Sequence, residues 1–484
     1  MERSEAADEV FFPSPKYSAF TQAVRAYRPN QLIPLIARMT ARIDPNYRGF
    51  EAVRDLPPWV MAAIARESVV QGNEFRNIMA TEQDVRRLIQ LHHEVFIVPK
   101  ESTLTSIIGP TVHEQFWWQM SLFEEQTRTI SVFDDQAYGE HLNWTSVLGV
   151  PLVDAIRAGF ILGLAVNLNS GRWVPDSLAP FYEDPRSAQL PPREAVERVA
   201  VTLTATVDQL RDEGRAYDER PGKDLELAKH PLNPLMGHPL VDLGAVGVWA
   251  PVGPLVHRAF LPSALYVRGA QEWRGDFTQQ LGRRHERYVG DLFRSVGHAL
   301  SGELPYGKGG GKKTVDWIWV TPDAVVLIEC KSAGLSLDSL AGGGKFSELV
   351  SRYIGRGKQQ IQTTARHIKA RTRGLEGIPA DRRILGLVVT SDPFLFANAK
   401  LPEYGLVEYE TPTLVASVRD IEHLTSLPSD QAVAALIEIF DDEERSRWDL
   451  GQALKGKPVE KHPVANKAWD RIRPIPLRIP PPNR

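Results

Sequence analysis

The chain has a single cysteine, Cys330, in 484 residues. No internal disulfide can form, as expected for a reducing compartment, so the fold must rest on burial and hydrogen bonding. Charge of one sign is also missing. The 57 Lys and Arg against 60 Asp and Glu leave a formal net charge of -3. That excludes a surface coated in positive charge, and any contact with nucleic acid must be a local patch. The first ten residues, MERSEAADEV, lack the basic and apolar segments of a signal peptide, so a cytoplasmic location is expected. No repeat period is present, which argues against a solenoid. The most apolar run, Val147 to Leu168, is interrupted by Pro151, Asp154 and Arg157. It reads as a buried helix beginning at Pro151, and membrane insertion is not expected. What remains is an ordinary soluble composition, 43% apolar and 24% charged, in a chain long enough for roughly two to four domains.

The pattern from Tyr17 to about Asn169 is helical, with segments Trp59 to Val70, Glu82 to Val95 and Glu114 to Phe133 punctuated by prolines. The aromatic run Phe116-Trp117-Trp118 fits a packing seam better than a base-stacking platform. A polar, proline-containing stretch, Pro175 to Pro192, marks a boundary. A helix from Arg193 to about Arg215 follows, and His230 to Gly269 reads as short strands and turns. Asp276 to Val296 is an amphipathic helix with Leu281, Tyr288, Val289, Leu292, Phe293 and Val296 as its apolar stripe. Gly302 to Lys313 is a Gly and Lys loop, and 332–344 a second glycine-rich loop. Phe346 to Arg373 is helical with a break near Gly355 and Gly357. Arg383 to Thr390 is a continuous buried strand. One or two helices after Asp420 lead into an extended proline-rich tail, IRPIPLRIPPPNR. The domains expected from this pattern are 1–180 (helical), 181–270 (short strands and helix), 271–420 (α/β core) and 421–484.

The stretch Thr314 to Ser332, TVDWIWVTPDAVVLIECKS, is chemically the most informative. It reads as two strands joined by a turn at Thr321-Pro322-Asp323. Asp316 stands on the first, and the second ends in Glu329-Cys330-Lys331. Residues two apart on a strand share a face, so Glu329 and Lys331 point together and Cys330 points away into the core. A carboxylate and an ammonium at the end of a core strand cost several kcal/mol unless they are paired or bind metal. Asp316 and Glu329 suit a hard cation such as Mg²⁺, with Mn²⁺ as a substitute. Lys331 is placed to steady a water or charge building on phosphorus. A plain Glu–Lys pair at a hairpin end is the alternative.

This arrangement resembles the PD-(D/E)xK nuclease superfamily over about residues 273–395. Asp316 takes the place of the motif Asp, and Glu329-Cys330-Lys331 that of the (D/E)xK element. The literal Pro322-Asp323 pair sits in the turn, too near Glu329. The superfamily's first helix often contributes a further Glu, and Gly282-Arg283-Arg284-His285-Glu286-Arg287-Tyr288-Val289 resembles it, with Glu286 on the buried side. A pair with Arg283 or Arg287 is the other reading of Glu286. A Gln or Lys often stands on the helix after the ExK strand, and Gln360 fits that place, beside the apolar stripe Ile361, Ala365 and Ile368. The resemblance implies a restriction-endonuclease-like core, an αβββαβ mixed sheet flanked by helices, behind a large helical N-terminal region. It also implies Mg²⁺-dependent hydrolysis of DNA, as an endonuclease of restriction, phage defence or repair. Asp316, Glu329 and Glu286 would hold the metal, Lys331 activate water, and Gln360 orient one of them. The alternatives are an RNase, or a non-catalytic nucleic-acid-binding or assembly module on the same fold. The N-terminal region would serve self-association or a defence-system partner.

Arg352, Arg356, Lys358, Arg366, Lys369, Arg371 and Arg373 occur between Ser351 and Leu375 with no acid among them. With Lys308, Lys312 and Lys313 they could follow a phosphate backbone, or they form a solvated helix face. Trp317 and Trp319 read as core. Gly307 to Thr314 lacks the glycine and hydroxyl spacing of a P-loop. His113-Glu114 has Trp117 where a zinc-protease helix needs its second His. His92-His93-Glu94 has no partner at ligand spacing and reads as partly exposed helix surface.

Overall fold

The computed structural model describes residues 15–42, 55–95, 118, 120–134, 142–183, 185–219, 233–332, 350–394, 396–458 and 461–473. The expected features at 113–117, in the loop 333–349 and in the tail from 474 lie outside the described residues. The chain is mixed α/β and forms two compact units. The first draws on Met1–Gln119 and Asp154–Ala259, the second on Met120–Val153 and Phe260–Arg473. These divisions do not follow the expected boundaries at 180, 270 and 420. Residues 181–259 belong with the N-terminal helices, and 120–153 belong with the later sheet.

In the first unit, helices α1 (Pro15–Val24), α2 (Pro29–Thr40), α3 (Pro58–Gln71) and α4 (Glu82–Val95) bury Phe20, Ile33, Ile36, Ile64, Val69 and Leu88 in one core. Proline opens α2 and α3, where no intrahelical N–H is lost. Tyr17 and Thr21 donate to the buried Glu67 carboxylate, which also pairs with Arg66. His92 is not helix surface as expected. It is buried edge-on against Phe20, and only His93 and Glu94 are exposed. Helix α5 (Leu152–Leu168) follows Pro151 and buries Ala155, Ile156, Leu162 and Val166. Among the described residues, Trp144–Leu168 is the one run long and apolar enough to cross a membrane, and just over half of it is buried. Strands β1 (Arg172–Trp173), β2 (Thr204–Thr206), β3 (Leu240–Asp242) and β4 (Val248–Trp249) make a small sheet in the order β1-β4-β3-β2.

The single helix expected from Arg193 to Arg215 is instead α6 (Arg193–Thr202) and α7 (Val207–Asp218) with β2 between them. Three β-branched residues in four, Val201, Thr202 and Thr204, favour extension. The capping box of Thr206 and Gln209 then restarts the helix.

The second unit is built on a five-stranded mixed sheet. Its strands are β5 (Leu300–Gly302), β8 (Trp317–Val320), β9 (Ala324–Lys331), β10 (Arg383–Thr390) and β11 (Thr413–Ser417), in the order β11-β10-β9-β8-β5. Strands β5, β8 and β9 pair antiparallel, whereas β10 is parallel to both β9 and β11. The segment read as a Gly and Lys loop contains the end of β5 and a small hairpin, β6 (Pro305–Tyr306) and β7 (Lys312–Lys313).

Helix α8 (Pro262–Ser295) covers one face of this sheet. It starts well before the expected Asp276 but is broken at Arg274, whose φ is 52°. Its Phe293 ring lies 5.3 Å from that of Trp319, and Gly290 lets Trp317 approach. Both tryptophans are therefore core. Helix α9 (Arg356–Lys369) covers the opposite face through Ile361, Ala365 and Ile368, all buried. Gly386 on β10 leaves room for Ile361. Helices α10 (Val418–Ser426), α11 (Ser429–Asp441) and α12 (Pro463–Ile472) complete the unit. A buried ion network ties it together. Arg128 makes two bonds to Glu422 (2.9 and 2.7 Å) and one to Glu125 (2.6 Å), and Tyr288 donates to Glu422 at 2.8 Å.

Candidate active site

Register decides which side chains meet. Trp317 pairs with Ile328 and Trp319 with Val326, so these four face α8. By alternation Glu329 and Lys331 face α9 and Cys330 faces α8, as the spacing of two predicts. Opposite Glu329 on β10 stands Val388, whose methyls meet Gly357 at the start of α9.

Asp316 occupies the bend just before β8, and its Oδ2 accepts the backbone N–H of Cys330 at 2.7 Å. The Asp316 carboxylate is thus joined to the main chain between Glu329 and Lys331. Nζ of Lys331 donates to Oε1 of Glu329 at 2.6 Å and to Oε1 of Gln360 at 2.7 Å. Three of the five expected site residues, Glu329, Lys331 and Gln360, are therefore in one hydrogen-bonded chain, and Asp316 is tied to the backbone between two of them. Glu286 arrives from α8, half-buried, its carbonyl accepting from Nε1 of Trp317 at 2.9 Å.

The three carboxylates share one electrostatic environment. Burial raises the Glu329 carboxyl to about 7, and the Asp316 charge adds to this. Both outweigh the attraction of Lys331. Burial likewise lifts Glu286 to about 7, with Asp316 and then Glu303 contributing. Asp316 is itself raised, mainly by burial, against the opposing Cys330 N–H and Lys331. Burial pushes the Cys330 thiol well up, so it is not a nucleophile.

Sequence reasoning missed Glu303, just past β5. Its Oε2 holds Nζ of Lys313 at 2.6 Å. It also missed His285, buried beside Glu286 with its Nε2 3.3 Å from the Val389 carbonyl and held neutral by burial, its pKa near 4.

The basic residues divide. Lys308, Lys312, Arg352, Arg356, Arg366, Lys369, Arg371 and Arg373 are exposed, and Lys313 is exposed but paired to Glu303. Lys358 does not belong with them. It is buried, 3.7 Å from Glu408, and burial lowers its pKa.

Among the described residues no three His, Cys, Asp or Glu side chains close into a cation cage. Lys331 occupies Oε1 of Glu329 and the Asp316 backbone N–H also favours this carboxylate, whereas Oε2 is buried without a hydrogen bond of full geometry. A buried, under-partnered carboxylate oxygen beside a second raised carboxylate is costly, and a hard divalent cation would relieve it. Asp316, Glu329 and Glu286 are the residues that could hold one. Comparison with protein-family models, curated proteins and solved structures finds no match for this chain.

Proposed function

We propose that the second unit is a metal-dependent phosphodiesterase of the PD-(D/E)xK kind acting on DNA, and that its sheet is a restriction-endonuclease-like core. The observation that carries this reading is the placing of Lys331 between Glu329 and Gln360, with Asp316 hydrogen-bonded to the residue between the Glu and the Lys. Support also comes from the order of the main-sheet strands and their covering helices, helix, β5, β8, β9, α9, β10, with the β6–β7 hairpin inserted between β5 and β8, against the αβββαβ that the resemblance implies.

When bound by Asp316, Glu329 and Glu286, Mg²⁺ or Mn²⁺ would supply positive charge beside the scissile phosphate and lower the pKa of a water. The rest of the chemistry belongs to the side chains. An ammonium has three N–H donors. Two of those on Lys331 are taken by Glu329 and Gln360, which aims the third outward, toward a non-bridging phosphate oxygen as charge builds there. Because Oε1 of Gln360 accepts from Lys331, its amide nitrogen is turned away to donate to a second phosphate oxygen or to the attacking water. Glu286, with its carboxyl near 7 in the metal-free protein, would give up that proton on binding the cation, so metal binding at this site should release protons at neutral pH.

The test is Mg²⁺-dependent cleavage of plasmid and oligonucleotide DNA by the intact chain, Asp316→Ala and Lys331→Ala. Cutting that disappears in both variants supports the site, and cutting that survives both refutes it. Matched ribose and deoxyribose substrates decide between DNA and RNA. Failure of the intact chain to cut either would leave a binding or assembly module.

A further inference from the structure

The hairpin beside the site has features that hydrolysis does not use. Its turn, Gly307 to Gly311, includes Gly307, Gly309 and Gly310 at φ 82°, 73° and 69°, values that only glycine holds without strain. Gly311 returns to φ −75° and ψ −3°. The Gly310 N–H donates to the Gly307 carbonyl at 3.2 Å, so the turn is closed by its own hydrogen bond and presents outward a side-chain-free backbone flanked by Lys308 and Lys312. Nothing lies within 4 Å of the Cβ positions at Gly307, Gly309 or Gly311, so this backbone is open on its outer side.

The hairpin is braced against the C-terminal end of α9. Gly307 donates to the Arg373 carbonyl at 3.0 Å, and the Tyr306 and His367 rings are 4.7 Å apart. Lys308 and Lys312 thereby join Lys369 and Arg371 on one exposed surface, and none of the four has an ion-pair partner among the described residues. Lys313 is committed to Glu303, and Arg373 lies near the Glu376 carboxylate. Only two residues, Thr314 and Val315, separate Lys313 from Asp316, so their Cα atoms are at most about 11 Å apart. Thr364 on α9 accepts the Val315 N–H at 3.2 Å and fixes that link.

We infer that the Gly307–Lys313 turn and the end of α9 form a clamp for nucleic-acid backbone phosphates on one side of the scissile bond. The substrate must then extend past the site in that direction. This rests on the proposed hydrolase reading. Acidic protein is the less suitable partner, because among the described residues the surface offers no exposed aromatic or aliphatic anchor beside its cations.

The experiment is fluorescence anisotropy of the full chain with a labelled DNA duplex, in EDTA to prevent cutting, across a salt series. Lys308→Glu/Lys312→Glu is expected to weaken binding at least about tenfold near 0.1 M salt. The neutral pair Lys308→Gln/Lys312→Gln should lower the magnitude of the log K against log salt slope by about two. Lys331→Ala serves as the comparison at the reacting centre. Unchanged affinity and slope in both hairpin variants would overturn the clamp, as would polyglutamate displacing the DNA at equal charge concentration. Failure of the hydrolase reading is seen separately, as no Mg²⁺-dependent cutting while the hairpin variants still lose binding.

Discussion

Among the described residues Asp316 is bonded to the backbone of Cys330 rather than to a side chain, so the strand itself sets the distance between this carboxylate and the Glu329–Lys331 pair. Asp316→Asn keeps an oxygen for that N–H and removes the charge. It is expected to abolish Mg²⁺-dependent cleavage while changing stability by about 1 kcal/mol or less. It should also lower the carboxyl pKa values of Glu286 and Glu329, since the Asp316 charge raises both. Carboxyl-carbon NMR titration reads this, and unmoved titrations would show that the three acids are not one electrostatic group.

The raised acids make the metal-free fold respond to pH with a definite sign. The carboxyl of Glu329 sits near 7 in the fold and at an ordinary 4.5 when unfolded, so the folded form holds a proton that the unfolded form has released. Its contribution to stability is complete below about pH 4.5 and is lost as pH rises to about 7. The buried His257 and His285, both lowered to about 4, run the opposite way between pH 4 and 6.5. The difference between the intact chain and Glu329→Gln isolates the acid. In EDTA, the variant should gain in Tm relative to the intact chain from pH 5 to 7.5. Mg²⁺ should raise the intact chain's Tm more at pH 7.5 than at pH 5. A pH-independent difference would contradict the assignment.

At Gly357 the start of α9 packs against β10 beside Glu329 and Lys331. A methyl there would sit 2.9 and 3.0 Å from the Val388 methyls and 3.6 Å from Cε of Lys331. Gly357→Ala must lift the start of α9, at a cost of about 1 to 3 kcal/mol. Gln360 moves with it, so cleavage should fall under conditions where the variant is still folded. Urea denaturation and single-turnover rates measure the two effects.

Arg128 serves two buried acids at once, Glu125 and Glu422. Arg128→Met leaves charges with too few partners and is expected to cost about 3 to 5 kcal/mol, read by chemical denaturation. The Glu125 carboxyl, held at about 2 by Arg128 and Arg419 despite its burial, should rise.

The geometry of the candidate site was readable wherever a short-range rule governs it. Alternation along β9 separates Glu329 and Lys331 from Cys330, Pro322 marks the hairpin turn, and the 3.6-residue stripe beside Ile361 locates Gln360. What stayed hidden depends on partners distant in the chain. Lys358 looks like one more exposed cation until the segment carrying Glu408 covers it. Glu303 stands in an irregular stretch, and only the β6–β7 hairpin brings Lys313 to it. Strand β5 is three residues long with no apolar alternation, so nothing local announces it. The grouping of residues 120–153 with the later sheet likewise depends on long-range bonds, such as that from Arg284 to the Val132 carbonyl.

The sheet joins strands close in sequence to strands far apart. Strands β8 and β9 are linked by a turn of three residues, a closure that takes microseconds, whereas β10 must be recruited across a long crossover. The two acids on that hairpin can therefore be neighbours early in folding, before Gln360 arrives. Like charges meeting in a half-formed chain repel, so refolding should be faster where those carboxyls are protonated than at alkaline pH.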